Sequence, residues 1–176
     1  IKDGFYVIIF DSLENSSYES IENLNKLIKQ KIPEKCKNYE FIKGDIRNKS
    51  TLNDIFARNK KSGKSINGVI HFAGLKSISE SLNKPTKYWD VNLCGTINLI
   101  KIMDLYDCRK FIFSSSASVY GNSLKGLISE DDEIKPIHPY GFTKASVENF
   151  LGNLSSASNK FWDICTLRYF NPIGSH

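Results

Sequence analysis

The stretch K-F-I-F-S-S-S-A-S-V-Y-G, residues 110–121, decides the fold class of this chain. It begins as a continuous apolar run and ends in serines and other small residues. Such a run is typical of a strand that is buried on both faces, as strands are in parallel sheets covered by helices. With 110–114 as one strand, similar runs predict four more, at residues 5–10, 39–43, 68–72 and 163–168. The sequence therefore predicts an α/β protein built on a parallel sheet.

Segments of helical periodicity separate the predicted strands. Ser17 and Ser50 are placed to cap two of these helices, Pro85 opens a third, and the last helix starts near Tyr140. Crossovers between parallel strands are right-handed in almost all proteins, so we expect a doubly wound sheet with helices on both faces. Residues 1–176 are thus predicted to form one Rossmann-like domain.

The composition excludes several classes of protein. Of the 176 residues, 40% are hydrophobic and 24% are charged, which is unlike a disordered or fibrous chain. No apolar run approaches the ~18 residues that a membrane span needs, so no membrane partner is expected. The net charge of +5 is scattered along the sequence rather than clustered, so binding to nucleic acid is not expected either.

The cysteines and one histidine point away from metal chemistry. Cys36, Cys94, Cys108 and Cys165 lie far apart, without a C-x-x-C pair or a histidine at metal-ligand spacing. We therefore expect no metal site, reduced thiols and a cytoplasmic location. His71 falls inside a buried strand and is predicted to be a core histidine rather than a catalytic one.

Acidic residues follow the first two predicted strands, at the sheet edge where ligands of such folds bind. Asp11 is placed to accept hydrogen bonds from both hydroxyls of an adenosine ribose, and its charge favours NAD over NADP. For Asp45 two interpretations stay open. It either accepts from the adenine amino group, with Ile46 against the ring, or it is only a turn residue.

Tyr140 and Lys144 form the most specific pair, because a spacing of four places phenol and ammonium on one face of a helix. A phenol with a pKa of ~10 is a poor base at neutral pH unless a cation stabilises its phenolate. A unit charge at ~4 Å, with an effective dielectric constant near 20, supplies roughly 4 kcal/mol, or about three pKa units. A serine at the end of the strand that begins at Lys110 is predicted to hold the substrate oxygen that Tyr140 deprotonates.

These residues belong to five motifs whose combination resembles the extended short-chain dehydrogenase/reductase superfamily and, within it, the family of UDP-glucose 4-epimerases. The motifs are V-I-H-F-A-G-L-K (69–76), V-N-L-C-G-T (91–96), F-S-S-S-A-S-V-Y-G (113–121), P-Y-G-F-T-K (139–144) and L-R-Y-F-N-P-I-G (167–174).

The resemblance implies a role for each matching residue. Tyr140 is the general base, Lys144 holds the nicotinamide ribose and tunes Tyr140, and Ser116 binds the sugar hydroxyl. Further residues implied to contact NAD are Phe72, Ala73, Gly74, Lys76, Phe170 and Asn92, with Val91 as the alternative to Asn92. Further residues implied to contact the nucleotide sugar are Lys76, Ala117, Ser118 and Asn171.

The implied reaction interconverts UDP-glucose and UDP-galactose through a transient C4 oxidation by tightly bound NAD. A nucleotide-sugar 4,6-dehydratase is the rival within the superfamily, but it needs a carboxyl pair beside the active serine, where Ala117 and Ser118 stand here. Another nucleotide-sugar epimerase stays open. A non-catalytic cofactor-binding protein is a further alternative, against which the retained Ser116, Tyr140 and Lys144 argue.

The sequence departs from the family pattern at both ends. The G-x-G-x-x-G strand-turn-helix that grips the pyrophosphate is not found before Ile1, and most of the substrate domain is not found after His176. We therefore expect a fragment of a homodimeric enzyme, too incomplete to hold NAD tightly or to catalyse alone. Because the absent first strand is central in the strand order 3-2-1-4-5-6, the five strands should split into a pair and a triplet. The helices near 85–106 and 140–154 are the expected dimer contacts.

Overall fold

The computed structural model describes residues 1–122, 126–157 and 161–173, and it confirms the predicted α/β class. Strands and helices alternate along the chain. The strands are β1 (Val7–Asp11), β2 (Tyr39–Lys43), β3 (Gly68–His71), β4 (Lys110–Ser116) and β5 (Asp163–Tyr169). The helices are α1 (Tyr18–Lys31), α2 (Lys49–Lys61), α3 (Ile78–Asn83), α4 (Pro85–Tyr88), α5 (Gly95–Leu105) and α6 (Pro139–Ala157). None of the helices in these ranges is long and apolar enough to cross a membrane.

The strands form two parallel sheets, as the pair-and-triplet prediction requires. In the first sheet β1 pairs with β2, from Val7 opposite Tyr39 to Asp11 opposite Lys43. In the second sheet β4 lies between β3 and β5. Its pairing with β5 runs the full length of both strands, so that Ser115 lies opposite Arg168 and Ser116 opposite Tyr169. This register brings the carboxyl ends of β4 and β5 to one edge.

The main hydrophobic core surrounds β4. Phe111 and Phe113 are 1% exposed, and their rings are nearly parallel, with centroids 6.5 Å apart. Side chains from α2, α5 and α6 close this core, with Met103, Val147 and Leu151 fully or almost fully buried. His71 lies in the same region, where it is 3% exposed and its Nε2 is 2.8 Å from the Thr96 hydroxyl. It is therefore a core histidine, as predicted.

The helix that Pro85 opens contains a wide turn. Between α4 and α5 the chain runs through a π-helical segment, Trp89–Cys94, which buries Val91 and Asn92. A π-helical turn holds more residues than an α-helical turn, and such turns occur frequently at functional sites. Here it directs the Asn92 side chain toward the loop after β3.

Several predicted boundaries shift. β1 begins at Val7 rather than Phe5, since Phe5 and Tyr6 are 71% and 49% exposed and precede the pairing with β2. The cap of α2 is Asn48 rather than Ser50, because the Asn48 side chain accepts a hydrogen bond from the Thr51 amide. β4 extends two residues beyond Ser114 because its serines continue to pair with β5.

Candidate active site

The structure brings Ser116, Tyr140 and Lys144 to the same edge of the second sheet. Tyr140 is the second residue of α6, and Lys144 follows one turn later. Lys144 donates a 2.7 Å hydrogen bond to the carbonyl oxygen of Ser114 in β4, which anchors the helix to the strand that ends in Ser116. Its Nζ lies 5.9 Å from the centre of the Tyr140 ring. The predicted neighbourhood of phenol and ammonium is present.

The Lys144 ammonium is buried, and its surroundings decide its charge. It is 6% exposed and lies 4.9 Å from the centre of the Phe113 ring. Loss of hydration lowers the pKa of Lys144 to about 8, while the negative charge of Glu148 acts in the opposite direction. Burial and the charge of Lys144 together lower the pKa of His71 to about 3, so the imidazole stays neutral.

This cation lies beside the place where a Tyr140 phenolate would carry its negative charge. At a separation of ~6 Å and an effective dielectric constant near 20, opposite unit charges attract each other by roughly 3 kcal/mol. The Tyr140 ring is 9% exposed and stacks on His138, with centroids 6.1 Å apart. The phenol is therefore held in a fixed place beside the ammonium.

Ser116 ends β4 and begins the 3₁₀ turn Ala117–Tyr120. Its Oγ accepts a 3.2 Å hydrogen bond from the Ser118 amide, so the hydroxyl proton remains available to a substrate oxygen. Ser118 itself carries a buried hydroxyl for which the described residues provide no hydrogen-bond partner. A buried polar atom normally has a partner, so this hydroxyl is suited to bind a ligand.

Asn92 braces the loop after β3. Its Oδ1 accepts from the Leu75 amide at 2.8 Å, and its Nδ2 donates to the Leu75 carbonyl and the Thr143 hydroxyl, both at 3.0 Å. Gly74 lies against it with a φ of +154°, and a Cβ there would come within 3.0 Å of Asn92 Oδ1. Since these bonds occupy its amide, Asn92 holds the loop, and Val91 is the residue of the two that lines the adjacent cleft.

A shallow, open cleft lies at the carboxyl ends of β1, β2 and β3. It is lined by many of the residues predicted to contact the cofactor. These are Asp11, Asp45, Ile46, Ala73 and Gly74. The cleft thus unites residues as far apart in the sequence as Asp11 and Val91.

Two of the acids that line the cleft, Asp11 and Asp45, are held differently. Asp11 accepts hydrogen bonds from the Leu13 amide at 2.7 Å and the Ser16 hydroxyl at 2.8 Å, and among the described residues these are the donors it has, both to Oδ1. Asp45 forms an ion pair with Arg47, whose guanidinium lowers the pKa of that carboxyl. Asp11 Oδ2 therefore remains available to a ligand, whereas Asp45 is largely occupied by Arg47.

Other predicted contacts lie outside this cleft. Phe72 and Phe170 are 64% and 58% exposed, and Lys76 and Asn171 are exposed as well. Phe170 packs on Tyr120, with ring centroids 6.4 Å apart. All four follow the carboxyl ends of β3 and β5, but the structure does not bring them together with the cleft residues.

Sequence reasoning missed a partly buried ion pair near the catalytic candidates. Arg168 of β5 donates to both carboxylate oxygens of Glu148 in α6, at 2.8–3.2 Å. It also missed the Asn15 side chain, which reaches the Gly74 carbonyl at 3.1 Å across the cleft. One signal for the ion pair was available, since Glu148 follows Lys144 at the same spacing of four by which Lys144 follows Tyr140.

Comparisons with known proteins agree with this geometry. The family model described as GDP-mannose 4,6 dehydratase matches residues 1–176. The UDP-glucose 4-epimerase of Pisum sativum is 40% identical over 176 residues, which is 100% of this chain and 48% of the relative. That of Dictyostelium discoideum is 41% identical over 176 residues, covering 100% of this chain and 47% of the relative.

Solved structures give the same picture. The UDP-glucose 4-epimerase of Bifidobacterium longum, in complex with NAD⁺ and UDP, superposes with a TM-score of 0.86 at 36% identity, covering 99% of this chain and 48% of that one. The enzyme of Stenotrophomonas maltophila, with bound NAD and formylated UDP-arabinopyranose, also gives 0.86, at 34% identity with the same coverage. The chain spans about half the length of the relatives it matches.

Proposed function

The chain belongs to the GDP-mannose 4,6 dehydratase family, and we propose that its site carries out NAD-dependent 4-epimerisation, interconverting UDP-glucose and UDP-galactose. The observation that carries the proposal is the buried Lys144 ammonium, fixed to the Ser114 carbonyl and 5.9 Å from the Tyr140 ring. The epimerases among its relatives, some solved with NAD and UDP-sugar ligands, support this choice of substrate and cofactor.

The cleft residues fit NAD. Asp11 has an unoccupied carboxylate oxygen for a ribose hydroxyl, and its charge disfavours the additional phosphate of NADP. Ala73 and Gly74 leave the backbone accessible to a ligand, because no large side chain stands there. NAD, when bound, would accept the hydride of the sugar C4 carbon and return it to the opposite face.

The remaining chemistry is proton transfer by residues of this chain. Ser116 would hold the C4 hydroxyl of the sugar, and Tyr140 Oη would take its proton as general base. The Lys144 charge stabilises the phenolate that does so. In the second half of the reaction Tyr140 returns the proton to the same oxygen, and the base is restored.

The family description includes a dehydratase, but the site lacks the groups that dehydration requires. Elimination of water needs a carboxyl pair beside the active serine. Ala117 and Ser118 occupy that position, and the Ser118 hydroxyl is not acidic enough to replace a carboxylic acid. Epimerisation needs neither carboxyl group, so it is the reaction that these residues can support.

The test uses protein expressed from its complete open reading frame. We expect UDP-galactose to be converted to UDP-glucose without added reductant, as followed by proton NMR. Tyr140→Phe removes the base and should lower kcat by about 10³-fold. Tyr106→Phe is the matched control, because Tyr106 bonds Asn53 far from the site. A 4-keto-6-deoxy product would instead identify a dehydratase, and NAD binding without turnover would identify a non-catalytic protein.

Assembly and location are part of the same proposal. We infer a homodimer formed through α6 and the helical stretch from α4 to α5. Trp89 of the π-helical segment, Leu105 of α5 and Phe142 of α6 are exposed to solvent by 36%, 64% and 45%. A monomeric mass in analytical ultracentrifugation would contradict it.

The four cysteines are free thiols, which supports a reducing compartment such as the cytoplasm.

A further inference from the structure

A partly buried polar cluster lies on the side of α6 that faces β4 and β5. It consists of Glu148, Arg168, Ser115 and Tyr120. Glu148 is placed four residues after Lys144 and eight after Tyr140, so all three lie along one face of the helix. Its side chain is 9% exposed, and that of Arg168 is 19% exposed. The mechanism above uses none of the four residues.

The Glu148 carboxylate is fully engaged by two neighbouring strands. Arg168 donates from Nε to both carboxylate oxygens, at 3.2 and 3.1 Å, and from Nη2 to Oε2 at 2.8 Å. The Ser115 hydroxyl donates to Oε1. Ser115 and Arg168 are register partners in β4 and β5, so the parallel pairing itself aims both donors at the same carboxylate.

Arg168 also ties the turn after Ser116 to this cluster. Its Nη1 donates to the Tyr120 hydroxyl at 2.6 Å and to the carbonyl oxygen of Glu130 at 2.9 Å. Tyr120 is the last residue of the 3₁₀ turn that follows Ser116. The Arg168 guanidinium therefore connects the turn that follows Ser116 with α6, the helix that carries Tyr140 and Lys144.

The charges around Lys144 give Glu148 its importance. The titratable groups around the ammonium are His71 from β3, which is neutral, and Tyr140 and Glu148 from its own helix. Arg168 from β5 lies behind Glu148. Among these groups Glu148 is the one that carries a negative charge in the resting site. Burial lowers the pKa of Lys144 to about 8, and Glu148 opposes that shift.

We propose that Glu148, held by Arg168, is a positioning residue that keeps the positive charge of Lys144 beside Tyr140. The proposal rests on the proposed function and deepens it. Without Glu148, the ammonium loses its counter-charge and faces the Arg168 cation instead. It then releases its proton at a lower pH, and Tyr140 loses the cation that makes it a base.

The experiment compares two variants in which opposite charges are removed, again in protein from the complete open reading frame. The pH dependence of kcat is measured between pH 6 and pH 10 for Glu148→Gln and for Arg168→Gln. We expect Glu148→Gln to move the alkaline limb about one unit lower, with a loss of roughly eightfold at pH 8.5. We expect Arg168→Gln to move that limb to higher pH, because the negative charge is then less compensated.

The opposite shifts expected for the two variants distinguish an electrostatic role of Glu148 from a structural one. If the role of Glu148 were merely structural, kcat would fall by the same factor at every pH, or the alkaline limb would move in the same direction in both variants. Either result would overturn the proposal. Glu148→Asp keeps the charge and should restore most of the alkaline limb. Glu22→Gln, at an exposed position of α1, is the matched control and should leave the profile unchanged.

Each outcome remains decisive. If one variant does not fold, the direction of the limb in the other decides the question. If the unmodified protein epimerises UDP-galactose and the alkaline limb moves in neither variant, the role proposed for Glu148 is wrong, while the proposed function stands. If the unmodified protein has no epimerase activity, the proposed function itself fails.

Discussion

The two sheets of this molecule are built differently. In the three-stranded sheet, Phe111 and Phe113 of β4 are almost completely buried, and Lys144 bonds directly to the backbone of the same strand. In the two-stranded sheet every residue of β1 is half-buried, and an ion pair between Arg58 and Glu40 lies at its surface. The groups proposed to move protons are therefore part of the core, whereas those proposed to hold the cofactor stand on a more solvated support.

Replacing a large side chain by alanine in each sheet tests whether the two sheets differ in packing. Phe111→Ala should lower the free energy of unfolding by about 3–5 kcal/mol, because it opens a cavity in a filled core. Phe41→Ala in β2 should cost less than about 2 kcal/mol, since that ring is half-buried and already in contact with water. Urea unfolding of both variants measures the difference. Equal losses would show that the two-stranded sheet is as tightly packed as the other.

The buried ammonium should reveal itself in the pH dependence of stability. The pKa of Lys144 is about 8 in the folded protein and ordinarily 10.5. Between these values the unfolded chain binds more protons, so the stability of the wild type rises with pH across this window. Lys144→Met should be more stable than the wild type by roughly 2–3 kcal/mol at pH 7, after the lost bond to Ser114 is subtracted.

This advantage of Lys144→Met should shrink from about pH 8 upward and reverse by up to about 1 kcal/mol above about pH 10.5, where the lost bond to Ser114 is what remains. Chemical denaturation at a series of pH values gives the difference between the two proteins. A difference that stays constant over the whole range would mean that the ammonium is not desolvated in the folded state.

The smallest effect is expected at the surface of the two-stranded sheet. Arg58 pairs with Glu40 at 2.5 Å, but the two side chains are 56% and 30% exposed. Exposed pairs contribute less than about 1 kcal/mol and are screened by salt. Arg58→Gln should therefore change the unfolding free energy by less than about 1 kcal/mol, and the change should disappear in 1 M NaCl. A larger loss that persists in salt would contradict the solvated character of this sheet.

Much of the fold was predictable because each strand carries its own signal. The run at 39–43 coincides with β2, and the break between a pair and a triplet followed from the strand order alone. β4 was predicted too short, because serines are poor strand formers by composition and only their pairing with β5 extends the strand through Ser116. Long-range pairing of this kind leaves no trace in a local window of sequence.

The placement of the candidate residues was partly predictable from the sequence, and their contacts were less so. Tyr140 and Lys144 share a helix, so their spacing was enough to place them together. Asn92 was expected to contact a cofactor. In the structure its side-chain amide forms hydrogen bonds with Leu75 and Thr143, because the wide helical turn directs it inward. The partnership of Glu148 with Arg168 depends on the register of β5 against β4, which the sequence does not display.

The π-helical segment at Trp89–Cys94 restricts how this chain can vary in length. Deleting one residue there would remove the wide turn, so the shortened helix could keep either the position of Asn92 or that of α5, but not both. Asn92 would leave the Leu75 loop, or the apolar side of α5 would turn away from Phe111. Surface loops absorb insertions and deletions, but this stretch has no such tolerance, so its residue count is as firmly fixed as its residue types.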